Sequence, residues 1–335
     1  MKVTIKEVAR AAGVSPATVS RVFNDTAPVD DETRARVLSA AESLRYVPNA
    51  AARSLITSRT ATLGVLLPDL HGAYQAELMR GLGQAARRRG FDLLVSTAFG
   101  DRGAALAALR ALRGRVDGVI LVPPATGTDL LLRELPGEQP VVLLGPATGV
   151  QAAAVTIDEA GGAAAMVRHL IRHGHRRIAL LAGDIDDDES GARTAGYRKA
   201  LEEGGLSRDA TLEISADATE DGGYDAARRL LALETLPTAL FAVTDAMAVG
   251  ALGALREAGI AVPGDVAVAG FGDRPIARYV MPTLSSVRVP AFELGRLAID
   301  RMLRAIARGG RSESHDVLEC SIVPRDSCGV HESSG

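Results

Sequence analysis

Short apolar runs alternate with amphipathic helical patterns over most of the chain, from about residue 62 onward. The runs TLGVLLP, DLLVST, DGVILVP and VVLLG predict buried parallel strands with helices between them, and RRIALLAG, TLEIS, TALFAV and VAVAGF repeat the series. This alternation predicts an α/β fold of two doubly wound parallel-sheet halves in tandem. A ligand is expected in the cleft between them, at the carboxyl ends of the strands.

The first sixty residues have a different pattern, which predicts three short helices. Thr4 and Glu7 form a capping box before apolar positions at helical spacing. Gly13 can end that helix in the left-handed conformation, and Ser15 with Pro16 can start a second one. A third helix is expected after a cap at Asp30 or Asp31 and should end before Tyr46.

The second of these helices has the features of a DNA recognition helix. Small residues on its open face permit close approach, hydroxyls and an amide suit phosphates, and one arginine can fork onto guanine. The residues on or near this face are Ser15, Pro16, Ala17, Thr18, Ser20, Arg21 and Asn24. The alternative for this segment is a helical hairpin that merely packs.

The segment resembles the DNA-binding headpiece of the LacI/GalR family of bacterial transcription regulators. The likeness runs through TIKEVARAAGVSPATVSRVFN and VDDETRARVLSAAESLRYVPNAAARSL. It implies a helix-turn-helix headpiece in residues 1–46, a hinge helix and linker in 47–60, and a clamshell like a periplasmic binding protein in 61–335, the effector-binding and dimerisation domain. Its N-subdomain would be residues 61–157 and 288–317, and its C-subdomain 158–287 and 318–335, with crossovers near 157–161, 284–290 and 317–320.

The resemblance also implies that residues 47–60 form a hinge helix that pairs with its dimer mate in the minor groove. Leu55 stands where the family inserts a leucine between base pairs. An interdomain linker with a stray leucine is the alternative. Beyond the recognition helix, the expected DNA contacts are Thr4, Lys6, Asn49, Ala52, Arg53 and Leu55.

Polar and aromatic residues near the predicted strand ends suggest an effector site for a polyol. Carboxylates and an arginine can grip vicinal hydroxyls, while an aromatic side chain covers the ring face. By resemblance, Arg193 in RTAGY, at the start of a helix, matches the family's ligand arginine. The expected effector residues are Tyr74, Phe99, Asp101, Asp158, Arg193, Thr244, Asp245 and Asp273. Each could instead be a helix cap or part of an interdomain ion pair.

Two departures from the family pattern bear on the ligand. Gly272 in GFGD replaces the usual aspartate, so either Asp273 substitutes for it or the contact is absent. Ala218 stands where several relatives have a ring-stacking aromatic residue. These departures predict either a roomier pocket or a ligand stacked on Tyr74, Phe99 or Tyr224. With Gly272 in place of the aspartate, weak or altered selectivity for common monosaccharides and some preference for a bulkier glycoside are expected.

Composition and charge exclude several other classes of protein. The formal net charge of the chain is −3, but residues 1–60 hold nine Lys and Arg against six Asp and Glu. A basic N-terminal segment therefore precedes an acidic remainder, which suggests that only the N-terminus binds a polyanion. The chain of 335 residues has two cysteines, no apolar run of about 18 residues and no signal sequence, so a cytoplasmic protein without a membrane segment is expected. GLGQAA lies within a helix and not after a strand, which excludes a dinucleotide fingerprint.

Neither a metal nor a cofactor is expected. The acidic run GDIDDDES has Glu189 at the glycine position of a calcium loop, and the histidines at 169, 173 and 175 cluster at a helix end, where cations are favourable.

Together these features predict a DNA-binding transcriptional regulator that is not an enzyme. We expect a repressor that binds a pseudo-palindromic, double-stranded operator as a homodimer and is switched by a small molecule, either a sugar or a glycoside. A purine-type corepressor remains an alternative. So does a ligand-binding protein or enzyme on the same α/β body.

Overall fold

A computed structural model describes residues 3–24, 27–46, 59–70, 72–98, 101–123, 128–145, 150, 152–183, 188–311 and 313–329. It confirms the predicted α/β architecture with an N-terminal helical domain. The chain divides into two compact units. One is Met1–Thr62 with Gly114–Asp117, and the other is Leu63–Arg113 with Gly118–Gly335.

The first unit contains the three predicted helices: α1 (Ile5–Ala12), α2 (Pro16–Asn24) and α3 (Asp31–Ser43). Val8, Val19 and Val37 are fully buried at their junction and form the centre of a small core. Gly13 ends α1 with a φ of 66°, a conformation that glycine adopts without steric cost. Asp30 is the cap of α3, because its carboxylate accepts a hydrogen bond from Thr33 N–H at 2.8 Å.

Asp117 anchors the chain at Thr60 within this first unit. Its carboxylate accepts hydrogen bonds from the backbone N–H and the hydroxyl of Thr60, at 2.6 and 2.8 Å, and from Ala61 N–H at 2.9 Å. Ala61 has a positive φ of 51°, a conformation that costs energy for a residue with a side chain. The three hydrogen bonds offset that cost.

The second unit is built on two six-stranded sheets. The first sheet has the order β11, β5, β4, β3, β1, β2, and each pair from β11 to β1 is parallel. Its strands are β1 (Thr62–Leu67), β2 (Asp92–Thr97), β3 (Gly118–Leu121), β4 (Val141–Leu144), β5 (Ala153–Ile157) and β11 (His315–Leu318). The helices α4 (Gly72–Arg88), α5 (Arg102–Leu112) and α6 (Thr128–Arg133) connect its strands.

The second sheet has the order β12, β10, β9, β8, β6, β7. Its β10–β12 pair is antiparallel, and its other four pairs are parallel. Its strands are β6 (Ile178–Ala182), β7 (Glu213–Ser215), β8 (Ala239–Ala242), β9 (Ala267–Gly272), β10 (Ser285–Arg288) and β12 (Ser321–Val323). Its helices are α7 (Glu159–Arg172), α8 (Asp188–Glu203), α9 (Glu220–Leu231) and α10 (Asp245–Glu257).

The chain passes from one sheet to the other at three points. It leaves β5 through Asp158 into α7, which packs on α8 beside the second sheet. It returns after β10 through residues 289–290 into α11 (Ala291–Arg308), which packs on α4, β3, β4 and β5. The third passage, at residues 319–320, joins β11 to β12. The two sheets are therefore linked by three short segments.

Glycines bring α4 and α11 into close contact. A Cβ atom on Gly81 would lie 2.1 Å from the backbone oxygen of Phe292, and one on Gly295 would lie 2.5 Å from the oxygen of Leu78. Arg80 covers the crossing, with its guanidinium carbon 4.3 Å from the centre of the Phe292 ring. Among the described helices, none is long and apolar enough to cross a membrane.

Some elements differ from the sequence expectation. The strands β5, β10 and β11 were not among the predicted apolar runs, because their segments AAVTI, SSVR and HDVL are short and partly polar. The predicted strand TLEIS begins instead with a 3-10 turn, Ala210–Leu212, which Asp209 caps by accepting from Thr211 N–H. Helix α8 begins at Asp188, so Arg193 lies in its second turn and not at its start.

Candidate functional site

Helix α2 presents a polar surface because its apolar side chains are used for the core. Val19 and Val22 are buried against α1 and α3, and this fixes which side of the helix faces solvent. Arg21 is exposed, with Ser15, Pro16 and Ala17 at the start of the same helix. Thr18, Ser20 and Asn24 are half-buried. The structure thus brings these predicted DNA contacts together on one short helix.

Side-chain hydrogen bonds hold this face in place. Ser15 caps α2, since its Oγ accepts from Thr18 N–H at 3.1 Å and lies 2.9 Å from Thr18 Oγ1. The amide of Asn24 donates to Ser20 Oγ at 3.0 Å. At the start of α1, Thr4 N–H donates to Glu7 Oε2 at 2.7 Å. Thr4 and Lys6 are exposed.

Five predicted site residues lie outside the described ranges. They are Asn49, Ala52, Arg53 and Leu55 of the expected hinge helix, and Phe99 of the expected effector site.

Arg193 is the centre of a polar cluster at the carboxyl ends of the second sheet. Its Nε lies 2.7 Å from Glu159 Oε2, and another guanidinium nitrogen lies 2.9 Å from Glu189 Oε2. A third nitrogen donates at 2.9 Å to the carbonyl of Val243, directly after β8. The guanidinium carbon lies 4.2 Å from the centre of the Phe271 ring, at the end of β9. These contacts fix the position of a side chain that is only 11% exposed.

Tyr74, in the first turn of α4, packs against the core of the first sheet and lies within electrostatic reach of the same cluster. Burial raises the pKa of its phenol, and the charges of Glu189 and Glu159 raise it further, while Arg193 lowers it. The structure therefore brings Tyr74 and Arg193, from opposite halves of the second unit, into one electrostatic environment.

Three other predicted effector residues are helix caps. Asp101 accepts from Ala104 N–H at 2.8 Å, Asp158 from Gly161 N–H at 2.7 Å, and Thr244 from Met247 N–H at 3.2 Å. Because a cap lies at the end of a strand and the start of a helix, it also lies at the sheet edge where ligands bind. The capping role is therefore compatible with the expected role of these three residues beside a ligand.

Asp245 is fully buried and belongs to an internal network. Its carboxylate accepts from Ser286 Oγ at 2.5 Å and from Arg274 N–H at 2.6 Å. Burial raises the pKa of this carboxyl group, whereas these two hydrogen bonds lower it. The side chain fills the space beside Gly270, where a Cβ would lie 2.5 Å from Asp245 Oδ1. Asp245 thus ties together the ends of β9 and β10.

Asp273 is also enclosed, by two arginines. Its carboxylate pairs with Arg288 Nε at 2.7 Å and with Arg325, and its side chain is only 2% exposed. Asp273 N–H donates to Ser286 Oγ at 3.0 Å, and the residue has a positive φ of 46°. The carboxylate is therefore engaged inside the protein, directly after Gly272.

Glu159 and Glu189 are not among the site residues expected from the sequence. A signal for Glu189 was present, because it precedes Arg193 by four residues on a helix, a spacing that favours an ion pair. Glu159 had no comparable local signal, since 34 residues separate it from Arg193.

Two family models match this chain. The model described as bacterial regulatory proteins, lacI family, matches residues 4–49, and the one described as a periplasmic binding protein-like domain matches residues 167–328. The chain is 36% identical to the ribose operon repressor of Escherichia coli (strain K12) over 311 residues, which cover 91% of this chain and 93% of that protein. The chain belongs to the LacI family of bacterial regulatory proteins.

Solved structures of LacI-family proteins agree with this assignment. The Lac repressor dimer bound to operator and the anti-inducer ONPF is similar with a TM-score of 0.88 and 27% identity, over 98% of this chain and 100% of that chain. The complex of the transcriptional regulator CelR with cellobiose is similar with a TM-score of 0.72 and 34% identity, over 97% and 100%. This LacI-family protein is a DNA-binding transcriptional regulator of the repressor type, and the relatives described here are regulators and not enzymes.

Proposed function

We propose that this LacI-family protein is a sequence-specific repressor that binds a pseudo-palindromic operator as a homodimer and releases it when a sugar or glycoside enters the cleft. The observation that carries the ligand proposal is the position of Arg193, which stacks on Phe271 and shares its surroundings with Tyr74 of the other half. A guanidinium can donate two parallel hydrogen bonds to neighbouring hydroxyls, and an aromatic ring can cover a sugar face.

For DNA binding, we assign the base contacts to Arg21. The small residues at the start of α2 are assigned the role of letting this helix come close to the major groove. The exposed position of Arg21 and the cap at Ser15 support this assignment. An arginine in the major groove recognises guanine through its O6 and N7 atoms. Lys6 is assigned to phosphate, because an exposed lysine on the neighbouring helix adds charge without base specificity. The segment with Asn49, Ala52, Arg53 and Leu55 is assigned to the minor groove on family resemblance.

On the ligand side, we assign direct contacts to Tyr74 and Arg193, with Asp101, Asp158 and Thr244 at the edges of the cleft. Asp245 and Asp273 are assigned a supporting role, because their carboxylates are already enclosed by Ser286, Arg288 and Arg325. Phe99 stays a proposed contact on sequence grounds. The E. coli relative named for the ribose operon and the cellobiose complex of CelR favour a carbohydrate.

The switch follows from two-state thermodynamics. A ligand that contacts both halves of the cleft binds one degree of closure better than another, and so it shifts the population of the protein toward that state. Three short connections link the halves, so a change in closure needs few backbone rotations. Operator affinity then depends on ligand concentration.

An exposed apolar surface supports the dimer. Tyr279 is 78% exposed, Met281 is 85% exposed and Ile276 is 44% exposed, all within one short segment after β9. Large apolar side chains grouped on a surface commonly mark a protein interface. Met281→Glu is expected to shift light scattering from dimer toward monomer. Leu130→Glu, which changes an exposed leucine on α6, is expected to leave the dimer intact.

The proposal is tested by enriching genomic DNA fragments on the purified protein and then titrating the best fragment with sugars, glycosides and purines. We expect fragments with two half-sites about one or more helical turns apart, and release by a carbohydrate. Release or tighter binding caused only by a purine would replace the sugar with a purine effector. Failure to enrich any sequence would contradict operator binding itself.

A further inference from the structure

In the part of the chain that the structure describes, two carboxylates contact the single guanidinium of Arg193. Glu159 and Glu189 both pair with this one guanidinium, at 2.7 and 2.9 Å. Asp158, the cap of α7, precedes Glu159 in the chain and contributes to the electrostatic surroundings of the neighbouring Cys320. Burial raises the pKa of the Cys320 thiol to about 12, so this group stays uncharged near neutral pH. The two glutamates and the arginine together carry a net charge of −1.

The two glutamates differ in exposure. The side chain of Glu159 is 12% exposed, whereas that of Glu189 is 58% exposed. Glu159 contacts the Nε edge of the guanidinium, and Glu189 contacts a terminal nitrogen. An exposed pair four residues apart on a helix is weak, since both groups are well solvated when separated. A ligand oxygen can therefore replace Glu189 far more easily than Glu159.

We propose that these two residues determine ligand specificity by charge: Glu159 positions the Arg193 guanidinium, and Glu189 is the group that a ligand hydroxyl displaces. The cleft then accepts neutral sugars and amino sugars and rejects phosphorylated sugars and sugar acids. This inference rests on the proposed function, because it takes the cleft around Arg193 as the effector site.

The electrostatics give the direction of the selection. A neutral hydroxyl takes the terminal nitrogen of Arg193 while Glu189 moves into solvent, at little cost. An ammonium group on the sugar can in addition pair with the displaced Glu189. A phosphate or carboxylate competes for the same nitrogen but approaches two carboxylates, and the repulsion is weakly screened where the site is partly buried.

The test uses the full chain and three variants: Glu189→Gln, Glu159→Gln and Glu202→Gln. Glu202 lies exposed on the same helix as Glu189, so its replacement removes the same charge far from Arg193. The probes are glucose, glucosamine, glucuronate and glucose 6-phosphate, the same four forms of galactose, and cellobiose. Each is added at millimolar concentration in a thermal-shift assay, and calorimetry gives the dissociation constants of those that bind.

For the wild type, we expect the neutral and ammonium-bearing probes to bind more tightly than the anionic ones. In Glu189→Gln, the ratio of anionic to neutral affinity should rise about tenfold, because the variant removes one negative charge close to the anionic group of the ligand. Glu159→Gln should weaken the neutral probes, because the guanidinium loses its support, and should also raise the ratio of anionic to neutral affinity, because it removes one of the two carboxylates. Glu202→Gln should match the wild type.

The outcomes separate this inference from the proposed function. Tighter wild-type binding of a phosphorylated or acidic probe overturns the charge selection while leaving a carbohydrate effector in place. An unchanged affinity ratio in Glu189→Gln does the same. If no probe stabilises the wild type or any variant, the carbohydrate effector and the charge selection both fail.

Discussion

The Nε atom of Arg193 lies 2.7 Å from Oε2 of Glu159, and both side chains are almost enclosed by protein. The pair joins the start of α7, directly after the first passage between the sheets, to the second turn of α8. Because the guanidinium also stacks on Phe271, its plane is held in one orientation. A binding group that is already oriented loses little entropy when a ligand arrives.

Stability measurements should separate the roles of the two glutamates. Glu159→Ala leaves a nearly buried guanidinium without its closest carboxylate, so we expect a loss of about 2–4 kcal/mol in the free energy of unfolding. Glu189→Ala removes an exposed partner and should cost less than about 1 kcal/mol. Urea unfolding followed by circular dichroism measures both changes. Equal losses in the two variants would contradict the assigned difference in burial.

Replacement of Arg21 should relax sequence preference at one base pair of each half-site. Arg21→Ala removes the exposed arginine of α2, so the preferred operator should lose about 1–3 kcal/mol of binding free energy relative to a site changed at that base pair. Fluorescence anisotropy with the enriched operator and its single-base-pair variants measures this loss. An unchanged base preference would show that α2 is docked incorrectly.

Lys6→Ala provides the contrasting case for DNA binding. Loss of a phosphate contact should weaken all DNA sequences to the same extent and lower the slope of log affinity against log salt by about one. The same anisotropy assay, repeated over a salt series, gives the slope. A sequence-dependent effect of Lys6→Ala would contradict its assignment to phosphate.

The contact between α4 and α11 should be sensitive to a single methyl group. Gly81→Ala places a Cβ where the Phe292 carbonyl oxygen lies, and we expect a loss of about 1–3 kcal/mol in the free energy of unfolding. Gly83→Ala, on the same helix, meets nothing within 4 Å and should gain up to about 1 kcal/mol from the higher helix propensity of alanine. Denaturant melts of both variants test the pair. A neutral Gly81→Ala would indicate that the helices can separate freely.

His175 should make stability depend on pH below about its ordinary pKa of 6.5. Burial lowers the pKa of this histidine in the folded protein, and the charge of His173 lowers it further. The unfolded chain therefore binds more protons in this range, and stability is lost as pH falls from 6.5 through the lower folded value. In His175→Gln, this part of the pH dependence should disappear. Identical pH profiles of unfolding free energy for the two proteins would contradict it.

The sequence predicted the fold class and the recognition helix because both rest on local patterns. Apolar runs and helical periodicity are readable without tertiary contacts, as are the Thr4–Glu7 box and the Ser15–Pro16 helix start. The strands β5 and β10 escaped prediction, since AAVTI and SSVR become strands only through their neighbours in the sheet.

The contacts around Arg193, Asp245 and Asp273 were less predictable, because they join residues that are distant in the chain. Ser286 meets Asp245 across 41 positions in the chain, and Arg325 meets Asp273 across 52. The spacing of residues in the sequence does not predict that the carboxylates of these two aspartates bind partners inside the protein. The ion pair of Glu159 with Arg193 could not be predicted either, because 34 residues separate the two.

The most direct test of the account is the effect of carbohydrate on operator affinity in the wild type and in Arg193→Ala. Affinity for the enriched operator is measured with and without the sugars and glycosides that stabilise the wild type, and thermal melting confirms that the variant is folded. We expect a carbohydrate to weaken the wild type on operator DNA by about 5-fold to 150-fold, the usual range of allosteric coupling, and to leave Arg193→Ala unaffected at the same basal affinity. An equal carbohydrate response in a folded Arg193→Ala protein would contradict the account.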